Sequence, residues 1–574
     1  MIRKRGSFSS ALEFVSHNTG MSEEKLLNDQ KTYRIDGLEE AKDMLVKAME
    51  DRKTIYVFGD YDVDGVCASA IITIGMTSAG YGEKTIVRLP KRFSEGYGVS
   101  EKAVDEFEAG QVLVTVDNGI TAMPAIRKAK EKGMQVLVID HHLPLQNGKG
   151  DPTIPEADLI IDPKAFPGSA DFDGYCGAGL AYRLMGGIAR DSRALWKMIC
   201  LAAIATIADV MPLTGENRRI VKYGLAGMTD MNRTTTGLYA LLLACECAER
   251  VTEETVSYKL APCLNAPGRL FDYGAYESYK LLAYDRNLAP AKKMAKQQME
   301  WNKTRRSLSS EWTVRAMEKA DTHALMGKKP VILQIDGIPE GIVGIVAGRV
   351  AKHVKCPCVI LTQAQGQPGM LKGSARSYGD IHLFDILKEG GGFLKSFGGH
   401  KEAAGLSLED SKLEAFRRRI YAVYQQRVPE TSADNDLYYD LEANGKDGES
   451  LRRLLEEIQK YGPYGQGNPQ PVLYIRELLL TPTGSGYYRY IGGRSAVRMS
   501  SAELDCISFH DVEQFERIGA PALIDVMGTA SINHYMGKSR HRLEFSYISE
   551  SRTAQRKQSA LAALIARKAA GRCQ

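Results

Sequence analysis

Cysteine is scarce in this sequence, and its spacing argues against two kinds of scaffold. Ten of the 574 residues are cysteine, and close pairs occur only at Cys245/Cys247 and Cys356/Cys358. No C-x-x-C pair indicates a zinc site, and the low density of cysteine argues against a disulfide framework. We therefore expect a protein of a reducing cytoplasm.

Long apolar runs are also absent. No run approaches the length of about 18 residues that indicates a membrane helix, and the basic N-terminus lacks the apolar segment of a signal peptide. The composition, with 44% hydrophobic and 25% charged residues, argues against wholesale disorder, a collagen-like repeat and a coiled-coil rod. The length predicts roughly four domains, and we expect no membrane association.

No strong excess of one charge marks the chain as a whole, because 75 Lys+Arg residues stand against 70 Asp+Glu residues. The exception is residues 551–574, which contain six basic residues and no acidic one. Leu561, Leu564 and Ile565 have helical spacing within this tail. A short basic amphipathic helix and a solvated tail are both compatible with that pattern.

Three short apolar runs, rich in valine and isoleucine, predict a buried parallel sheet. They lie at residues 54–58, 111–116 and 134–139, and helix-like segments such as 121–132 separate them. Strands that are apolar on both faces and alternate with helices are typical of such sheets. An aspartate follows each run, and the ligand crevice of these sheets lies beyond the carboxyl ends of the strands. These aspartates are Asp60, Asp117 and Asp140.

The rest of the chain divides into further segments. Apolar residues seven apart predict a long connecting helix at about 287–318, and a second α/β unit follows at 328–410. A polar linker is expected at 428–436. From residue 437 onward, short strand-like runs alternate with glycine-rich turns, which predicts a small β-barrel.

The segment GDYDVDG places three carboxylates, Asp60, Asp62 and Asp64, at alternate positions between a strand and a helix. Carboxylates this close repel one another and have raised pKa values unless a cation neutralises them. A divalent metal is the simplest explanation. A calcium loop is the alternative, but an apolar strand precedes the segment and no glutamate stands twelve positions into it.

Three further segments add oxygen and nitrogen ligands. Asp117 follows a strand, although such a residue could equally cap a helix. Adjacent His141 and His142 follow Asp140, and Asp209 closes an apolar helix, where a buried charge needs a partner or a metal. A mixed set of carboxylates and imidazoles without a thiolate favours Mn²⁺ or Mg²⁺ over zinc.

These segments, taken together, resemble the signature motifs of the DHH phosphoesterase superfamily. The four motifs are GDYDVDG, VTVDNGI, VIDHH and IADVMPL. Additional segments resemble the RecJ family of single-strand-specific exonucleases within it, and include LPKRFSEGYG, LNAPGRL, EGIVGIVAGRV, LKGSARS, FGGHKEAAG and YGQGNPQPVL. The resemblance runs in order from about residue 36 to 550.

The resemblance implies a centre with two metal ions and names the residues that hold them. The implied ligands are Asp62, Asp64, Asp117, His141 and Asp209, with Asp60 assisting and Asp117 bridging. His142 would act at the scissile phosphate or the leaving oxygen, and Asp140 would orient a histidine. One departure is Phe58, which stands where several DHH proteins have a histidine and which cannot bind a metal.

The resemblance also implies a grip on the 5′ end of a strand. The residues matching the positions for the terminal phosphate and its surroundings are Arg92, Arg269, Ser374, Arg376 and His400. Guanidinium groups form bidentate contacts with phosphate. In the terminal domain, Tyr464, Tyr487, Tyr488, Tyr490, Phe509 and Tyr535 are candidates for base stacking, although barrel aromatics more often belong to the core.

The fold class expected from the resemblance is α/β, with a parallel-sheet DHH domain, a long helix, a smaller α/β DHH-associated domain and a C-terminal OB-like β-barrel. The expected divisions are an N-terminal extension (1–35), the DHH domain (36–286), the connecting helix (287–320), the DHH-associated domain (321–427), the OB-like domain (428–550) and a basic tail (551–574).

The implied function is 5′→3′ hydrolysis of single-stranded DNA to 5′-mononucleotides in recombination and repair. We expect a cytoplasmic monomer, with single-strand-binding protein and a helicase as partners. Two alternatives stay open. One is a DHH-family oligoribonuclease or cyclic-dinucleotide phosphodiesterase, against which the terminal barrel argues. The other is an inactive DHH scaffold, against which the full set of carboxylates and both histidines argue.

Overall fold

The computed structural model describes most of the chain in two compact units. The described residues are 2–147, 150–399, 401–428, 436–484, 486–491, 496–509, 517–519, 521–535 and 538–551. The larger unit contains residues 33–211 and 223–428, and the smaller unit contains residues 2–32, 212–222 and 436–551. The expected linker at 428–436 falls almost entirely outside the described residues. So does the basic tail, except Ser551.

The first sheet of the larger unit has five parallel strands, as the apolar runs predict. In spatial order they are Thr85–Arg88, Ile55–Phe58, Val112–Val116, Gln135–Ile139 and Leu159–Ile161. The three central strands are buried along almost their whole length, which explains their unbroken apolar sequences. The edge strands at 85–88 and 159–161 did not stand out in the sequence, because both are short and partly exposed.

Helices surround this sheet, and one of them is apolar on every side. Helix Val63–Ser78 is almost fully buried because it packs against helices Gly177–Gly186 and Ser192–Ala208. The other helices between residues 38 and 283 that belong to the larger unit are Leu38–Glu50, Glu101–Asp105, Met123–Glu131, Thr236–Ala244, Glu253–Thr255, Ala261–Leu264, Ala266–Leu270 and Gly274–Ala283. Helix Gly215–Gly227 begins in the smaller unit and ends in the larger one. The larger unit also contains the π-helical turn Val256–Leu260, the 3₁₀ turns Gly82–Lys84 and Met231–Arg233, and the strand pair Leu145–Gln146 and Pro152–Thr153.

The connecting helix spans Leu288–Leu325, longer than the sequence predicts, and leads into a second sheet of mixed direction. Its strands, in spatial order, are Ser396–Gly399, Ala403–Glu409, Met370–Arg376, Cys358–Gln363 and Val331–Gln334. Helix Glu340–Val354 and the connecting helix share a buried core with one face of this sheet. Helices Leu383–Lys388 and Leu413–Arg427 cover the other face, and the 3₁₀ turns Gly391–Phe393 and Asp410–Lys412 lie beside them.

The smaller unit is built on a seven-stranded sheet, in the part of the chain where the sequence predicts a small OB-like β-barrel. In spatial order the strands are Leu441–Asn444, Val472–Leu479, Leu523–Tyr535, Lys538–Glu550, Leu504–Ser508, Ala496–Ser500 and Tyr488–Ile491. Helix Gly448–Lys460 packs on this sheet. The sequence predicts only fragments of the two 13-residue strands, because polar residues interrupt their apolar pattern.

Residues 2–32 belong to the smaller unit, and some of them enter its core. Strand Ile2–Lys4 pairs in parallel with Leu437–Tyr439. Helices Ala11–Thr19 and Glu23–Asn28 place Phe14 and Leu26 in the same buried cluster as the sheet residues. The domain divisions themselves stay a prediction. Among the helices in the described ranges, none has both the length and the apolar character needed to cross a membrane.

Close backbone approach inside the larger unit gives a test of the packing. A Cβ atom built on Gly237 would lie 1.7 Å from the carbonyl oxygen of Leu281, a contact that backbone atoms must move to relieve. We expect Gly237→Ala to lower the free energy of unfolding by about 2 kcal/mol, as overpacked core positions do. Thermal unfolding followed by circular dichroism measures this.

Gly186→Ala is the matched control, because no atom lies within 4 Å of the Cβ that it would introduce. Gly186 is the last residue of helix Gly177–Gly186, and alanine at this position should leave stability unchanged or raise it slightly. If Gly237→Ala and Gly186→Ala unfold at the same temperature, the close packing of helix Thr236–Ala244 on Leu281 is wrong.

Candidate metal centre and arginine cluster

The chemistry-bearing side chains meet at the carboxyl edge of the parallel sheet. Asp60, Asp117 and the segment 140–142 each follow a central strand, and parallel strands place these ends side by side. Helix Val63–Ser78 brings Asp62 and Asp64 with its first turn. Asp209 directly follows the last residue of helix Ser192–Ala208. The ends of these strands and helices therefore bring the acidic and imidazole side chains together at one edge of the sheet.

Three groups of side chains in the described residues have the geometry to hold a metal ion. In each group, one ligand atom per residue lies within 4.8 Å of the others. The groups are Asp60/Asp62/Asp117, Asp64/His141/Asp209 and Asp117/His141/His142. The first two groups share no residue and together contain every ligand position that the sequence resemblance implies. The geometry is compatible with two ions in one centre.

Backbone amides hold Asp64 in place. The amides of Gly177 and Ala178 donate to its two carboxylate oxygens at 2.7 and 2.8 Å. A Cβ atom on Gly177 would lie 2.7 Å from Asp117 Cβ, so only glycine lets this helix N-terminus approach so closely. Asp62 Oδ1 caps its own helix by accepting from the amides of Asp64 and Gly65. The carboxylates are positioned without depending on a salt bridge.

Asp117 adopts a conformation that few side chains adopt. Its φ of +61° lies in the left-handed region, and the hydroxyl of Tyr97 donates to its carbonyl oxygen at 3.0 Å. The next helix begins at Met123 with Ala122 as its N-cap, so Asp117 does not cap that helix. Strained backbone of this kind persists where the surroundings hold it, commonly at functional sites.

The ring of His141 lies among three carboxylates. Its Nε2 atom is 3.1 Å from Asp117 Oδ1, 3.6 Å from Asp64 Oδ2 and 3.7 Å from Asp209 Oδ2. Burial, together with the charge of His142, lowers the pKa of His141 to about 3. The imidazole is therefore neutral near pH 7, which is the form that binds metals.

The acidic side chains lie too close together to be ionised at once without a counter-charge. Burial and the charge of Asp62 raise the pKa of Asp64 to about 6. Burial, with the charges of Asp64 and Asp62, raises the pKa of Asp209 to about 8. Burial and neighbouring carboxylates also raise the pKa values of Asp60 and Asp117 well above the ordinary aspartate value.

One buried atom of this cluster supports the fit to a divalent cation. Asp60 Oδ1 has no hydrogen-bond partner within the part of the chain that the structure describes. Oxygen and imidazole nitrogen ligands without a thiolate suit Mn²⁺ or Mg²⁺. A divalent cation would neutralise the repelling carboxylates, so the residues present fit the group that the sequence suggests.

His142 has a different environment from its neighbour. Its Nδ1 atom lies 2.7 Å from Asp140 Oδ1 and 3.1 Å from the hydroxyl of Tyr97, and its side chain is 43% exposed. Burial would lower the pKa of His142, but the hydrogen bond and charge of Asp140 outweigh it and raise this pKa to about 9. A protonated imidazole with Nε2 directed away from Asp140 can contact a phosphate.

Asp140 is anchored on both sides. Its Oδ2 atom accepts from the amide of Ile120 at 3.0 Å, while Oδ1 pairs with His142. Burial would raise the pKa of Asp140, but the hydrogen bond and charge of His142 lower it below the ordinary value. The two residues form an ion pair that fixes the orientation of the imidazole ring.

Phe58 belongs to the hydrophobic core. Its ring is completely buried and packs edge-on against Phe107, with centroids 6.5 Å apart. The three possible metal-binding groups in the described residues do not include position 58. The carboxylate triplet that follows the strand therefore supplies the ligands at this end of the centre.

A cluster of arginines lies in the same unit. Arg92 stacks on the ring of Tyr61 at 4.5 Å. Arg269 Nη1 donates to the carbonyl of Gly341 at 3.1 Å, and Arg376 Nη1 donates to Ser374 Oγ at 2.6 Å. Four of the five residues predicted for the 5′ end therefore lie in the larger unit, namely Arg92, Arg269, Ser374 and Arg376. We call the three arginines the arginine cluster. The fifth, His400, lies outside the described residues.

The arginine cluster has a strong excess of positive charge. Burial and three neighbouring guanidinium groups lower the pKa of Arg269 to about 9; they belong to Arg92, Arg305 and Arg376. Burial and Arg92 also lower the pKa of Arg376. Guanidinium groups gathered in this way favour the binding of an anion, and phosphate matches their geometry.

Tyr61 connects the acidic and basic clusters. It stands between Asp60 and Asp62 in the sequence, and Arg92 lies over its ring. Burial and Asp60 raise the pKa of Tyr61 to about 12, although Arg92 opposes this shift. The metal-binding groups and Arg92 are therefore neighbours.

Sequence reasoning did not identify several contributors to this site. Tyr97 lies in the segment LPKRFSEGYG, whose resemblance drew attention to Arg92 but not to the tyrosine hydroxyl. Gly177 and Ala178 act through backbone amides, for which no residue type is diagnostic. Arg305 lies on the connecting helix, and no sequence motif distinguishes it from the other basic residues of that helix.

The candidate aromatic residues of the smaller unit are mostly part of its core. Four of them pack against the buried cluster of that unit: Tyr464, Tyr487, Tyr488 and Tyr490. Phe509 is 48% exposed. The side chain of Tyr535 lies outside what the structure describes.

Comparison with known protein families identifies three domains in the same order. The DHH family N-terminal domain matches residues 54–208, the DHHA1 domain matches residues 327–426, and the RecJ OB domain matches residues 441–547. These matches agree with the two α/β domains and the C-terminal β domain of the structure. They confirm the fold class that the sequence predicts.

Curated relatives cover most of this chain. The Bacillus subtilis protein named single-stranded-DNA-specific exonuclease RecJ is 30% identical over 89% of this chain and 63% of its own length. The Haemophilus influenzae protein of the same name is 30% identical over 78% of each chain. The chain thus spans less than two thirds of the Bacillus subtilis relative.

A solved structure gives the same result. RecJ from Thermus thermophilus, in complex with Mn²⁺, is 26% identical, with a TM-score of 0.74 over 94% of this chain and 76% of its own. The domain order, the relatives and the shared structure agree with the geometry of the site. We conclude that this chain belongs to the RecJ family.

Proposed function

We propose that this protein is a metal-dependent 5′→3′ exonuclease that hydrolyses single-stranded DNA to 5′-mononucleotides. The observation that carries the proposal is one unit that joins a metal-binding cluster to an arginine cluster through Tyr61. The metal-binding cluster suits hydrolysis of a phosphodiester, and the arginine cluster suits binding of the anionic end of a strand. The RecJ relatives are named single-stranded-DNA-specific exonucleases, which supports the strand specificity in this proposal.

The metal ligands in this proposal are Asp60, Asp62, Asp64, Asp117, His141 and Asp209. They would hold two ions of Mn²⁺ or Mg²⁺, and the RecJ structure from Thermus thermophilus contains Mn²⁺. Bound divalent cations would neutralise the charge of the scissile phosphate and lower the pKa of the attacking water.

His142 would act on the leaving group. Because Nδ1 is engaged with Asp140, the proton on Nε2 is available for the scissile phosphate or for the oxygen that leaves. Asp140 would keep the ring in this orientation. The hydroxyl of Tyr97 also contacts His142 Nδ1 and would help to hold the ring. Asp140 is thus a positioning residue, and His142 is the catalytic residue.

The arginine cluster would bind the terminal 5′ phosphate. Arg92, Arg269 and Arg376 supply charge and hydrogen bonds, and Ser374 supplies a hydroxyl. With the end of the strand held there, the first phosphodiester falls at the neighbouring metal centre. This arrangement explains both a 5′→3′ direction and release of one nucleotide at a time. His400 stays a predicted contributor.

The remaining parts of the proposal concern substrate and setting. The domain that matches the RecJ OB model would bind the single strand. We further propose a role in recombination and repair in the cytoplasm, as a monomer working with single-strand-binding protein and a helicase. The domain divisions given above are part of this proposal.

One digestion assay tests direction, strandedness and metal dependence together. A 50-nucleotide strand with a 5′ phosphate, labelled at one end or the other, should release labelled mononucleotide first from the 5′ end. The reaction should require Mn²⁺ or Mg²⁺ and stop with EDTA, and the blunt duplex should resist. Release from the 3′ end, or preference for a 5-mer alone, would contradict the proposal and favour the oligoribonuclease alternative.

Metal binding should also raise thermal stability, because ions relieve the repulsion among buried carboxylates. At a concentration 100-fold above the dissociation constant, Mn²⁺ should raise the melting temperature by about 5 °C relative to EDTA. Asp117→Asn should remove most of this shift and lower kcat about 1000-fold. The control is Asp158→Asn, a partly exposed residue that is paired with Lys130 and is outside the three metal-binding groups, so this variant should keep both the shift and the kcat. An equal shift in Asp117→Asn would exclude Asp117 as a ligand.

Removing the imidazole of His142 should separate catalysis from binding. His142→Ala should lower kcat about 1000-fold, because the leaving group loses its proton donor, while strand binding measured by fluorescence anisotropy in EDTA stays within twofold. Asp140→Asn keeps the imidazole of His142 but removes the anionic partner of that imidazole, so a smaller decrease in kcat is expected. Cleavage by His142→Ala at the original rate would refute the assigned role.

A further inference from the structure

The connecting helix packs directly against the segment that carries Arg269. The ring of Trp301 on this helix contacts Phe271, with centroids 5.2 Å apart. One residue later, Asn302 is buried and its side-chain amide donates to Cys263 Sγ at 3.1 Å. These two contacts fix this turn of the long helix against the short helices on either side of Asn265.

Asn302 in turn holds Arg305. Its side-chain oxygen accepts from Arg305 Nε at 3.2 Å and from Arg305 Nη2 at 2.8 Å, so two nitrogens of the guanidinium are fixed. The remaining terminal nitrogen, Nη1, takes no part in this contact. Arg305 is half-buried, unlike its neighbour Arg306, which is exposed. The structure therefore orients a guanidinium group by a buried amide.

Arg305 lies near Arg269, because Asn302, which holds Arg305, is hydrogen-bonded to Cys263 on the segment that leads to Arg269. In agreement with this position, burial and the charges of Arg92, Arg305 and Arg376 lower the pKa of Arg269. Burial lowers the pKa of Arg305 itself, and Arg349 and Arg306 act in the same direction. Holding a further guanidinium near Arg269 is unfavourable in the free protein, and a bound anion would relieve this repulsion.

We propose that Arg305 is a further phosphate-binding residue of the arginine cluster, positioned by Asn302. The inference rests on the function proposed above and deepens it, since it names a determinant of the preference for a phosphorylated 5′ end. The bidentate contact with Asn302 leaves Nη1 to donate to the terminal phosphate. The connecting helix thereby contributes to substrate recognition as well as linking the two α/β domains.

The test compares two ends on one strand in the full-length protein with Mn²⁺. The substrate is a 3′-labelled 20-mer bearing either a 5′ phosphate or a 5′ hydroxyl. Arg305→Ala should raise KM for the phosphorylated strand about 10- to 100-fold, the loss expected for one charge-assisted hydrogen bond. Its kcat, and its KM for the hydroxyl end, should stay within about twofold.

Three variants distinguish recognition from a structural role. Arg305→Lys keeps the charge but not the fork and should restore part of the lost affinity. Asn302→Ala leaves the charge in place but frees the side chain, so a rise in KM of about threefold is expected for the phosphorylated end alone. Arg306→Ala, one residue further along the helix, is the matched control and should behave as the original protein.

A second measurement does not depend on cleavage. In EDTA, fluorescence anisotropy of the same two strands should show that Arg305→Ala loses the preference for the phosphorylated end. If Arg305→Ala weakens both ends equally, or neither, the inference is wrong. If the original protein cleaves neither strand with Mn²⁺, the proposed function fails instead, and the two failures are thus distinguishable.

Discussion

Repulsion between like charges is the constraint on which the rest of the larger unit depends. Four buried or half-buried carboxylates with raised pKa values meet at the sheet edge, and several guanidinium groups meet beside them. In neither cluster do these side chains carry charges of opposite sign that would cancel the repulsion. Such arrangements persist when a rigid scaffold holds them and when a ligand of opposite charge relieves them. Under the proposed function, divalent cations would relieve the repulsion in the first cluster and a phosphate would relieve it in the second.

The scaffold supplies that rigidity through backbone groups. Amides of Gly177 and Ala178 hold Asp64, the first turn of its own helix holds Asp62, and the amide of Ile120 holds Asp140. Because amides carry no net charge, they fix the carboxylates without neutralising them. The acidic side chains are thus positioned in advance and stay available to a metal, which is what a hydrolytic centre requires.

The sequence could predict the parts of this site that follow from strand order. Unbroken apolar runs locate the central strands, and parallel pairing then brings Asp60, Asp117 and Asp140 together. The same logic cannot reach Tyr97, which acts from a loop, or Gly177, whose role follows from the space around it. Nor does it reveal that residues 2–32 enter the core of the smaller unit, because that contact joins the two ends of the chain.

The juxtaposition of the two clusters bears on why the proposed enzyme would be an exonuclease. A metal centre alone can cleave any phosphodiester that reaches it. Arg92 lies on the ring of Tyr61, and the sequence neighbours of Tyr61, Asp60 and Asp62, belong to one metal-binding group. An anion bound by Arg92 would therefore lie near the metal-binding residues. An internal phosphate has two ester neighbours and cannot present its full charge to the guanidinium groups, whereas a terminal phosphate can. Selection of the 5′ end would then follow from the greater charge of the terminal phosphate. Hydrolysis would occur next to that end because the arginine cluster adjoins the metal-binding groups.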